Sequence, residues 1–446
     1  MNPDLVVVGG GWAGCSAAFH ASRRGLRVLL LEAGPRLGGR ASSFVDPASG
    51  EWMDQGQHLF LGAYRETLKL LAELGTASFI EFQDPLRVHF LMDDGRLETL
   101  RASRLPGPLS LGLGLANFPA LPKAGSAVLK LSLRGGAALG GAFLGRLPSS
   151  ADHVSVEDWL ASCGQDPAIT ALLWEPMVLA ALNARPGQAR LREFLAVLGG
   201  GFLRGGSSAA LGLARAPLAR LLEPLPTLLR QQGSDARTGA VVEGVEALSG
   251  GGWRVRRAGG SRLDCPGLIL ALPARRAAGL LGSGLAGRLN LEAQAERPES
   301  AIVSVWLWSP GPLLPADILA FGPQGGAPPA FHWGFSRALD GGWRTCIVSS
   351  AAQELADKDN ALILAELAAF LASRGRPYTW TRARVVKERS ATPVFETGSG
   401  ARLGQGTALP GLALAGDWTE TRLPATIEGA VLSGRLAFEA LSFETR

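Results

Sequence analysis

The sequence predicts an α/β fold, and three apolar segments that each run into a short turn predict it. The first, Leu5–Val8, leads directly into Gly9-Gly10-Gly11-Trp12-Ala13-Gly14. The second, Val28–Leu31, ends at Glu32, and a third near the other end of the chain stops at Gly416-Asp417. Uniformly apolar runs of this length, bounded by turn residues, are typical of parallel strands that are buried on both faces.

The first turn has the spacing of a dinucleotide-binding loop. Gly9, Gly11 and Gly14 fit G-x-G-x-x-G, which needs one glycine for the turn, one for close approach to a pyrophosphate and one for helix packing. The helix that begins near Ala13 would direct its N-terminal N–H groups at the phosphates. Glu32 stands where a carboxylate accepts the adenosine ribose hydroxyls and repels a 2′-phosphate.

The segment after Glu32 favours a flavin over a nicotinamide cofactor. It reads Pro35-Arg36-Leu37-Gly38-Gly39-Arg40, where a nicotinamide-binding domain usually has a simple loop. Paired glycines leave backbone N–H groups accessible, and Arg40 can neutralise a phosphate. The sequence therefore predicts a second phosphate-binding loop beside the first.

The acid after the second strand, the Gly38-Gly39-Arg40 loop and the closing Gly416-Asp417 together resemble the flavin-dependent amine oxidase and carotenoid desaturase superfamily. The resemblance implies FAD, held in a Rossmann-type domain with an inserted α+β substrate domain, as in amine oxidases and phytoene desaturases. It implies that Asp417 holds the ribityl chain and that backbone near Thr426 approaches the pyrimidine ring. Val242 matches the valine beside adenine, although an ordinary core strand residue is the alternative.

The length of 446 residues suits two interleaved domains. Ala301–Trp308 and Trp343–Ser349 predict an antiparallel sheet in the inserted unit, and Gln353–Leu371 predicts a helix. The predicted parts are an FAD-binding region at 1–100, a helical substrate and membrane-contact insertion at 101–225, a return to the FAD-binding domain at 226–280, a substrate region with the antiparallel sheet at 281–378, and a closing FAD-binding part at 379–446.

Basic charge is concentrated in one apolar segment. No acidic residue lies between Thr99 and Ala151, although the net charge of the whole chain is only +5. Prolines interrupt this segment, so we expect contact with an anionic membrane surface rather than a membrane span. Helices that pack inward are the alternative, and Phe194–Leu222 repeats the acid-free character. The basic residues of the first segment are Arg101, Arg104, Lys123, Lys130, Arg134 and Arg146.

The remaining composition argues against several classes of site. The four cysteines form no C-x-x-C pair, so we expect small buried residues in a reducing compartment, without a metal centre. The basic segments lack interleaved aromatic residues, which argues against nucleic acid as a partner. The chain starts on its first strand without a secretory pattern, so we expect a cytoplasmic protein at the inner face of the cell membrane.

A string outside the nucleotide motifs narrows the resemblance. Trp52–Arg65 resembles the hydroxysqualene dehydroxylases of hopanoid biosynthesis, also called squalene-associated FAD-dependent desaturases, as do Trp174-Glu175-Pro176 and the segment from Gly416 to Ala430. The chain departs from that pattern at Arg422, where we expect glycine, and over Ser390 to Thr397. The implied substrate is a polyprenoid, hydroxysqualene.

The resemblance implies that reduced FAD and hydroxysqualene give squalene, water and oxidised FAD. Such a reaction needs a proton donor for the allylic hydroxyl and a dry apolar site. His58 is the first candidate acid, although a histidine satisfied by backbone carbonyls is the alternative. Asp54 and Glu175 are further candidates, and Gln57 could orient the hydroxyl. The competing interpretations are a carotenoid desaturase, with hydride transfer in the opposite direction, and a non-catalytic flavin-binding membrane partner.

Overall fold

The computed structural model describes residues 2–105, 107–121, 124–339, 341–375 and 379–441. In chain order, the helices are α1 Trp12–Arg23, α2 Arg65–Glu73, α3 Pro108–Ala116, α4 Ala124–Phe143, α5 Val156–Ser162, α6 Pro167–Ile169, α7 Glu175–Leu182, α8 Leu191–Gly200, α9 Leu218–Leu222, α10 Leu225–Gln231, α11 Ala274–Arg288, α12 Leu291–Ala295, α13 Gln353–Asp357, α14 Asn360–Ala372 and α15 Ile427–Glu439. The strands are β1 Leu5–Val8, β2 Val28–Leu31, β3 Ser43–Val45, β4 Trp52–Asp54, β5 Leu59–Leu61, β6 Ile80–Phe82, β7 Arg87–Leu91, β8 Leu97–Arg101, β9 Leu211–Ala214, β10 Asp235–Arg237, β11 Val242–Ala247, β12 Trp253–Arg257, β13 Arg262–Cys265, β14 Gly267–Leu270, β15 Glu299–Ser309, β16 Ile318–Phe321, β17 Trp333–Leu339, β18 Gly342–Ser349, β19 Arg382–Pro393 and β20 Leu412–Leu414.

A parallel sheet, here called the cofactor sheet, has the strand order β10-β2-β1-β14-β20. Alternate residues of β1 enter different cores: Leu5 and Val7 pack with α1 and α15, whereas Val6 and Val8 pack with α11 and the antiparallel sheet β11-β12-β13. Burial on both faces explains why these strands are uniformly apolar. The predicted α/β fold class is confirmed.

The helices α1 and α15 cross at backbone contact because glycines lie at the crossing. A Cβ on Gly434 of α15 would lie 2.0 Å from the carbonyl oxygen of Ala13. A Cβ on Gly14 would lie 1.8 Å from the carbonyl oxygen of Gly9. The start of α1 is therefore held between the glycine turn on one side and α15 on the other.

A second sheet, here called the mixed sheet, has the order β19-β15-β18-β17-β16-β7-β8. One face is covered by α13 and α14, which bury Val303, Val305 and Leu307 of β15. The other face, which bears Trp306, packs on the helical part that contains α3 to α8. The long strands β15 and β18 confirm the antiparallel pairing that their sequences predict.

The boundaries between the unit built on the cofactor sheet and the unit built on the mixed sheet differ from the sequence prediction. The strands β7 and β8, placed within the FAD-binding region at 1–100, pair in the mixed sheet, and so does β19, which was placed in the closing part. An alternating pattern identifies a strand but does not identify the sheet it joins. The helix predicted over Gln353–Leu371 is divided because Lys358 adopts an extended backbone between α13 and α14.

The helical part contains the 20-residue helix α4, which starts two residues after Pro122 and ends before Pro148, so no proline interrupts it. No helix within the described residues is long and apolar enough to cross a membrane. The second acid-free stretch differs from the first because it packs inward: Phe194, Leu195 and Leu198 are buried. Its Arg215 pairs with Glu81, and Arg220 pairs with Glu223. For this stretch the packing fits the alternative of inward-facing helices, although its Arg204 is exposed.

We expect Gly434→Ala to destabilise the protein by about 1–3 kcal/mol, because the added methyl group forces α15 away from α1. Thermal unfolding and FAD content per protein measure the effect. The matched control is Gly140→Ala, at an exposed position of α4 with no atom within 4 Å of the added carbon. That change should raise stability by up to about 1 kcal/mol. Equal unfolding temperatures for both variants would contradict the crossing.

Candidate active site

The two glycine loops lie side by side. The N–H of Gly38 donates to the carbonyl of Gly10 at 2.8 Å, and Gly11 and Gly38 form a parallel bridge. The first bond of α1 runs from the N–H of Cys15 to Gly11, so the preceding N–H groups of the helix lie outside its ladder. A Cβ on Gly11 would meet no atom closer than 4.0 Å, which leaves space for a phosphate against the backbone.

Glu32 lies at the end of β2 and faces the same loops. Its Oε2 accepts from the N–H of Gly10 and its Oε1 from the N–H of Gly34, each at 2.6 Å. The N–H of Ala240 donates to the carbonyl of Glu32, which places the half-buried Val242 near this carboxylate and against the core that includes Leu31. Both predicted roles of Val242, beside adenine and within the core, remain predictions.

Arg40 connects the second glycine loop to two distant segments. Its Nη2 lies 2.6 Å from Oδ1 of the buried Asp417, and its Nη1 donates to the carbonyl of Ala391 on β19 at 2.7 Å. The guanidinium therefore brings the predicted phosphate-binding and ribityl-binding residues together. It also joins the cofactor sheet region to the mixed sheet.

The closing segment is held in position by short polar contacts. The N–H of Gly416 donates to Ser433 Oγ at 2.8 Å, and Thr426 caps α15 by accepting from the N–H of Gly429 at 3.2 Å. Glu428, in the first turn of α15, accepts from the N–H groups of Glu66 and Thr67 at the start of α2. The N-terminus of α15 is thus fixed against two neighbouring segments.

These residues fit a flavin dinucleotide. The open backbone at Gly11, the loop N–H groups and Arg40 suit a pyrophosphate, Glu32 suits the adenosine ribose, and Asp417 suits the ribityl hydroxyls. The sequence profile of the family described as "Flavin containing amine oxidoreductase" matches residues 12–441. This chain belongs to that family. Its cofactor is therefore FAD.

Relatives that match nearly all of this chain have two different names. This chain is 31% identical to a hydroxysqualene dehydroxylase of Rhodopseudomonas palustris over 449 residues, which is 98% of each chain. A hydroxysqualene dehydroxylase of Sinorhizobium fredii is 28% identical over 469 residues, 100% of each chain. A 15-cis-phytoene desaturase of Capsicum annuum is 24% identical over 98% of this chain and 77% of that protein.

Solved structures of low sequence identity share the fold. An oxidoreductase from Methanosarcina mazei superposes with a TM-score of 0.74 at 17% identity, covering 98% of this chain and 99% of that one. A putrescine oxidase bound to putrescine also gives a TM-score of 0.74, at 14% identity and 98% coverage of both chains. The predicted Rossmann-type domain with an inserted substrate domain is confirmed.

Arg422 has a backbone conformation that favours glycine. Its φ angle is +61°, in the left-handed region, and its N–H donates to Glu420 Oε1 at 2.6 Å. The sequence comparison with the family pattern expected glycine at this position, and the positive φ gives a physical reason for that expectation. The loop before the flavin-facing helix therefore keeps its turn without the glycine.

The loop of Gln55 to His58 lies between the cofactor loops and the mixed sheet. Oriented as a donor, the Gln55 side-chain amide lies 3.1 Å from the carbonyl of Gly39 and 2.7 Å from that of Arg40. A Cβ on Gly56 would lie 3.1 Å from Ser304 Oγ of β15. Gln57 Nε2 reaches only the neighbouring carbonyl of His58, at 3.4 Å.

His58 is bonded to backbone, as its alternative interpretation expects. Its Nδ1 lies 2.9 Å from the carbonyl of Gly56, which can only accept, so Nδ1 carries a proton. Burial lowers the pKa of His58 below its usual range, although the Gly56 carbonyl and the nearby Asp54 carboxylate act in the opposite direction. Near neutral pH, the imidazole is therefore mainly neutral with Nε2 as an acceptor.

The two carboxylate candidates occupy different places. Asp54 Oδ1 accepts from Ser43 Oγ at 2.5 Å and from the N–H of Leu218 at 3.0 Å, so it ties β3 and β4 to α9. Burial raises the pKa of Asp54. Glu175 is buried at the start of α7, where Arg185 lies 3.7 Å away, and burial raises its pKa as well. The structure brings Asp54 and His58 together.

Sequence reasoning missed several polar residues near this loop. Glu428 lies in the Gly416–Ala430 segment, where the resemblance gives it no role, although it caps α2 from another helix. On the mixed sheet, Ser304, Trp306 and Arg344 have buried polar atoms facing the helical part. Polar residues within an apolar strand pattern could have drawn attention to Ser304, but the strand pairing that groups the three is not visible in sequence.

We expect Glu32→Ala to weaken FAD binding about 5- to 150-fold, because unpaired ribose hydroxyls cost roughly 1–3 kcal/mol. FAD absorbance per protein after dialysis measures the loss. The matched control is Glu243→Ala, which removes an exposed acid beside Val242 and should leave FAD content unchanged. Equal retention in the two variants would contradict the position assigned to the ribose.

Proposed function

We propose that this flavoprotein reductively removes the hydroxyl of hydroxysqualene to give squalene in hopanoid or squalene biosynthesis. The observation that carries the proposal is the full-length similarity to two proteins named hydroxysqualene dehydroxylase, at 31% and 28% identity. The similarity of the Trp52–Arg65 string to that family supports it, because Gln55 of this string lies within hydrogen-bond distance of the Gly39 and Arg40 carbonyls. The phytoene desaturase similarity, at 24% identity, makes polyprenoid desaturation the second candidate.

The helical part supports an apolar substrate. Its core includes Phe194, Phe202 and Trp174, and Trp174 Nε1 donates to Gln165 at 3.0 Å. A small, mainly apolar cavity lies between α3, α4 and the turn before α7, lined by Leu115, Leu121, Ala127, Val128, Gln165, Ile169, Leu173 and Trp174. This interior is apolar, as a cation-forming reaction that must exclude water requires, but the cavity itself has room for only about one water molecule.

In the proposed reaction the protein binds the substrate, orients it and supplies one proton. Bound in its reduced form, FAD supplies a hydride equivalent. The allylic hydroxyl departs as water when it receives a proton, and the apolar wall protects the resulting carbocation. We assign the proton donor to His58, whose Nε2 lies on the ring side opposite the Gly56 carbonyl. Asp54 lowers the cost of charging the imidazole, while Gln57 orients the hydroxyl and Glu175 is the alternative acid.

The proposed reaction predicts that enzyme carrying flavin reduced with deuterium at N5 transfers that deuterium to the carbon that lost oxygen. Anaerobic incubation with hydroxysqualene, followed by mass spectrometry of squalene, measures the transfer. The comparison arm is oxidised enzyme with phytoene and an electron acceptor. Oxidation of phytoene, together with no squalene from demonstrably reduced enzyme, would reject the dehydroxylase in favour of the desaturase.

His58→Ala should lower turnover by about 10²- to 10⁴-fold with FAD retained, if His58 is the acid. In the wild type, kcat should fall as pH rises through the His58 pKa, which lies below its usual value of 6.5, because only the imidazolium donates. The matched control is His89→Ala, since His89 on β7 bonds Thr99 at 2.9 Å and lies outside the loop. Equal turnover in both variants would remove His58 from the acid role.

We propose that the outer faces of α3 and α4 lie on an anionic membrane surface. Leu109 and Leu113 are spaced one turn apart on α3, and Leu129 and Leu133 on α4, with exposures from 42% to 75%. The described basic residues of the segment are all exposed: Arg101, Arg104, Lys130, Arg134 and Arg146. Arg204 stacks on Phe143 at the end of α4. Lys123 lies outside the described residues. This combination suits interfacial binding, with cytoplasmic location at the inner face.

We expect the double variant Lys130→Gln/Arg134→Gln to bind anionic liposomes about 30-fold more weakly, at about 1 kcal/mol per charge. Leu129→Ser/Leu133→Ser should weaken binding to both anionic and neutral liposomes. Sedimentation with liposomes measures both, and added salt should release the wild type in part. The controls are Arg275→Gln/Arg276→Gln on α11 and Leu362→Ser on α14, which are exposed elsewhere. If the variants and the controls lose equal amounts of liposome binding, α3 and α4 do not contact lipid.

A further inference from the structure

A row of side chains on the mixed sheet faces the helical part beside the His58 loop. On β15, Ser304 and Trp306 alternate with residues that face α14. The register pairs Trp306 with Cys346 and Trp308 with Arg344 of β18, so Arg344 lies on the same face as Trp306. Ser304, Trp306 and Arg344 are therefore neighbours on one sheet surface.

Each of these three side chains has a buried polar atom with no hydrogen bond to a nitrogen or oxygen of the described residues, although the Ser304 hydroxyl lies beside the buried Cys346 thiol. The atoms are Ser304 Oγ, Trp306 Nε1 and Arg344 Nε. The residues are only 1%, 4% and 9% exposed. A buried polar group without a partner is costly, and native proteins contain few of them. Three on one surface indicate a site for an oxygen that accepts hydrogen bonds.

The surroundings hold this polar row rigid within an apolar wall. Arg344 donates Nη1 to the carbonyl of Trp52 at 3.1 Å, and its guanidinium carbon lies 5.4 Å from the Trp306 ring centre. Apolar members of the same core include Met53, Phe335 and Val348. A polyprenoid chain that packs on this wall would present its oxygen to the polar row and to His58 and Gln57 of the neighbouring loop.

The row is also close to the cofactor loops. Ser304 Oγ contacts the position of Gly56, and the preceding residue, Gln55, reaches the carbonyls of Gly39 and Arg40. One residue of the loop thus separates the row from the segment that binds the flavin phosphates. Ser304 is the member of the row nearest to this segment.

We propose that Ser304, Trp306 and Arg344 bind the hydroxyl oxygen of the polyprenoid substrate and stabilise it as it leaves. The inference rests on the proposed dehydroxylation. The C–O bond breaks with its electron pair going to oxygen, which takes a proton from the acid and departs as water. The carbon receives the hydride of reduced FAD, which becomes oxidised. Hydrogen-bond donors fixed in a dry site stabilise the charge that develops on the oxygen.

The test is the binding of hydroxysqualene and squalene to the oxidised holoenzyme, which lacks the hydride and cannot turn over. Each ligand is titrated into the enzyme in a neutral detergent, and the change in flavin absorbance gives its dissociation constant. The wild type should prefer hydroxysqualene. Trp306→Phe and Ser304→Ala should each reduce that preference about five- to tenfold, because each variant loses one hydrogen bond to the hydroxyl. Squalene binding should change little.

The matched control is Trp333→Phe. Trp333 lies on β17, where it pairs with Val348 on the same face, but its Nε1 already donates to the carbonyl of Pro176 at 3.2 Å. This variant should keep the preference for the hydroxyl. If Trp306→Phe fails to fold, Ser304→Ala, which removes a single oxygen, decides the question.

The outcomes separate this inference from the proposed function. A wild type that binds both ligands equally, or variants that keep the full preference, would overturn the inference even if squalene is formed. Failure of the reduced wild type to form squalene would overturn the proposed function instead. Loss of preference in Trp306→Phe and Ser304→Ala, but not in Trp333→Phe, supports the assignment.

Discussion

The close packing of α1 between the glycine turn and α15 is the constraint on which the rest of the structure depends. Gly14 and Gly434 have no Cβ at positions where one would overlap the carbonyls of Gly9 and Ala13. This contact sets the direction of the α1 N-terminus and brings α15, with Thr426 at its start, to the same site. Segments more than 400 residues apart in sequence thereby meet at the site proposed for the flavin.

Arg40 extends this arrangement to the second unit. One guanidinium contacts Asp417 beside the cofactor sheet and the Ala391 carbonyl on the mixed sheet. Since the Arg40 side chain is only one-third exposed, its charge is shielded from water and the two contacts are stronger than a surface ion pair. The position of the mixed sheet relative to the flavin loops therefore depends on a residue that also suits the cofactor phosphate.

The chemistry proposed for the site divides between two kinds of residue. His58 and Asp54 are neighbouring titratable groups, and burial opposes the charge on both, raising the pKa of Asp54 and lowering that of His58. Ser304, Trp306 and Arg344 remain hydrogen-bond donors across the physiological pH range, because none of these side chains gains or loses a proton near neutral pH. A leaving oxygen held by such donors depends less on the acid, which suits a site where the imidazolium of His58 is the minor form near neutral pH.

The sequence by itself determined the cofactor unit. Gly9, Glu32 and Asp417 follow strand ends and Gly14 lies in the first turn of α1, so short motifs specify the backbone around the cofactor contacts proposed for them. It also indicated the apolar, basic character of the segment around α4, because composition needs no tertiary information. The resemblance of Trp52–Arg65 directed attention to the loop that lies beside the flavin-binding residues.

Only the tertiary structure decided which strands join the mixed sheet, that Phe194–Leu222 packs inward and that Ser304, Trp306 and Arg344 share one surface. The physical reason is that sheet partnership and the pairing of buried polar atoms depend on contacts between segments far apart in sequence. The arginine at 422 carries no local sign of its left-handed backbone, which only the glycine expected there by the family pattern had suggested and which the structure showed.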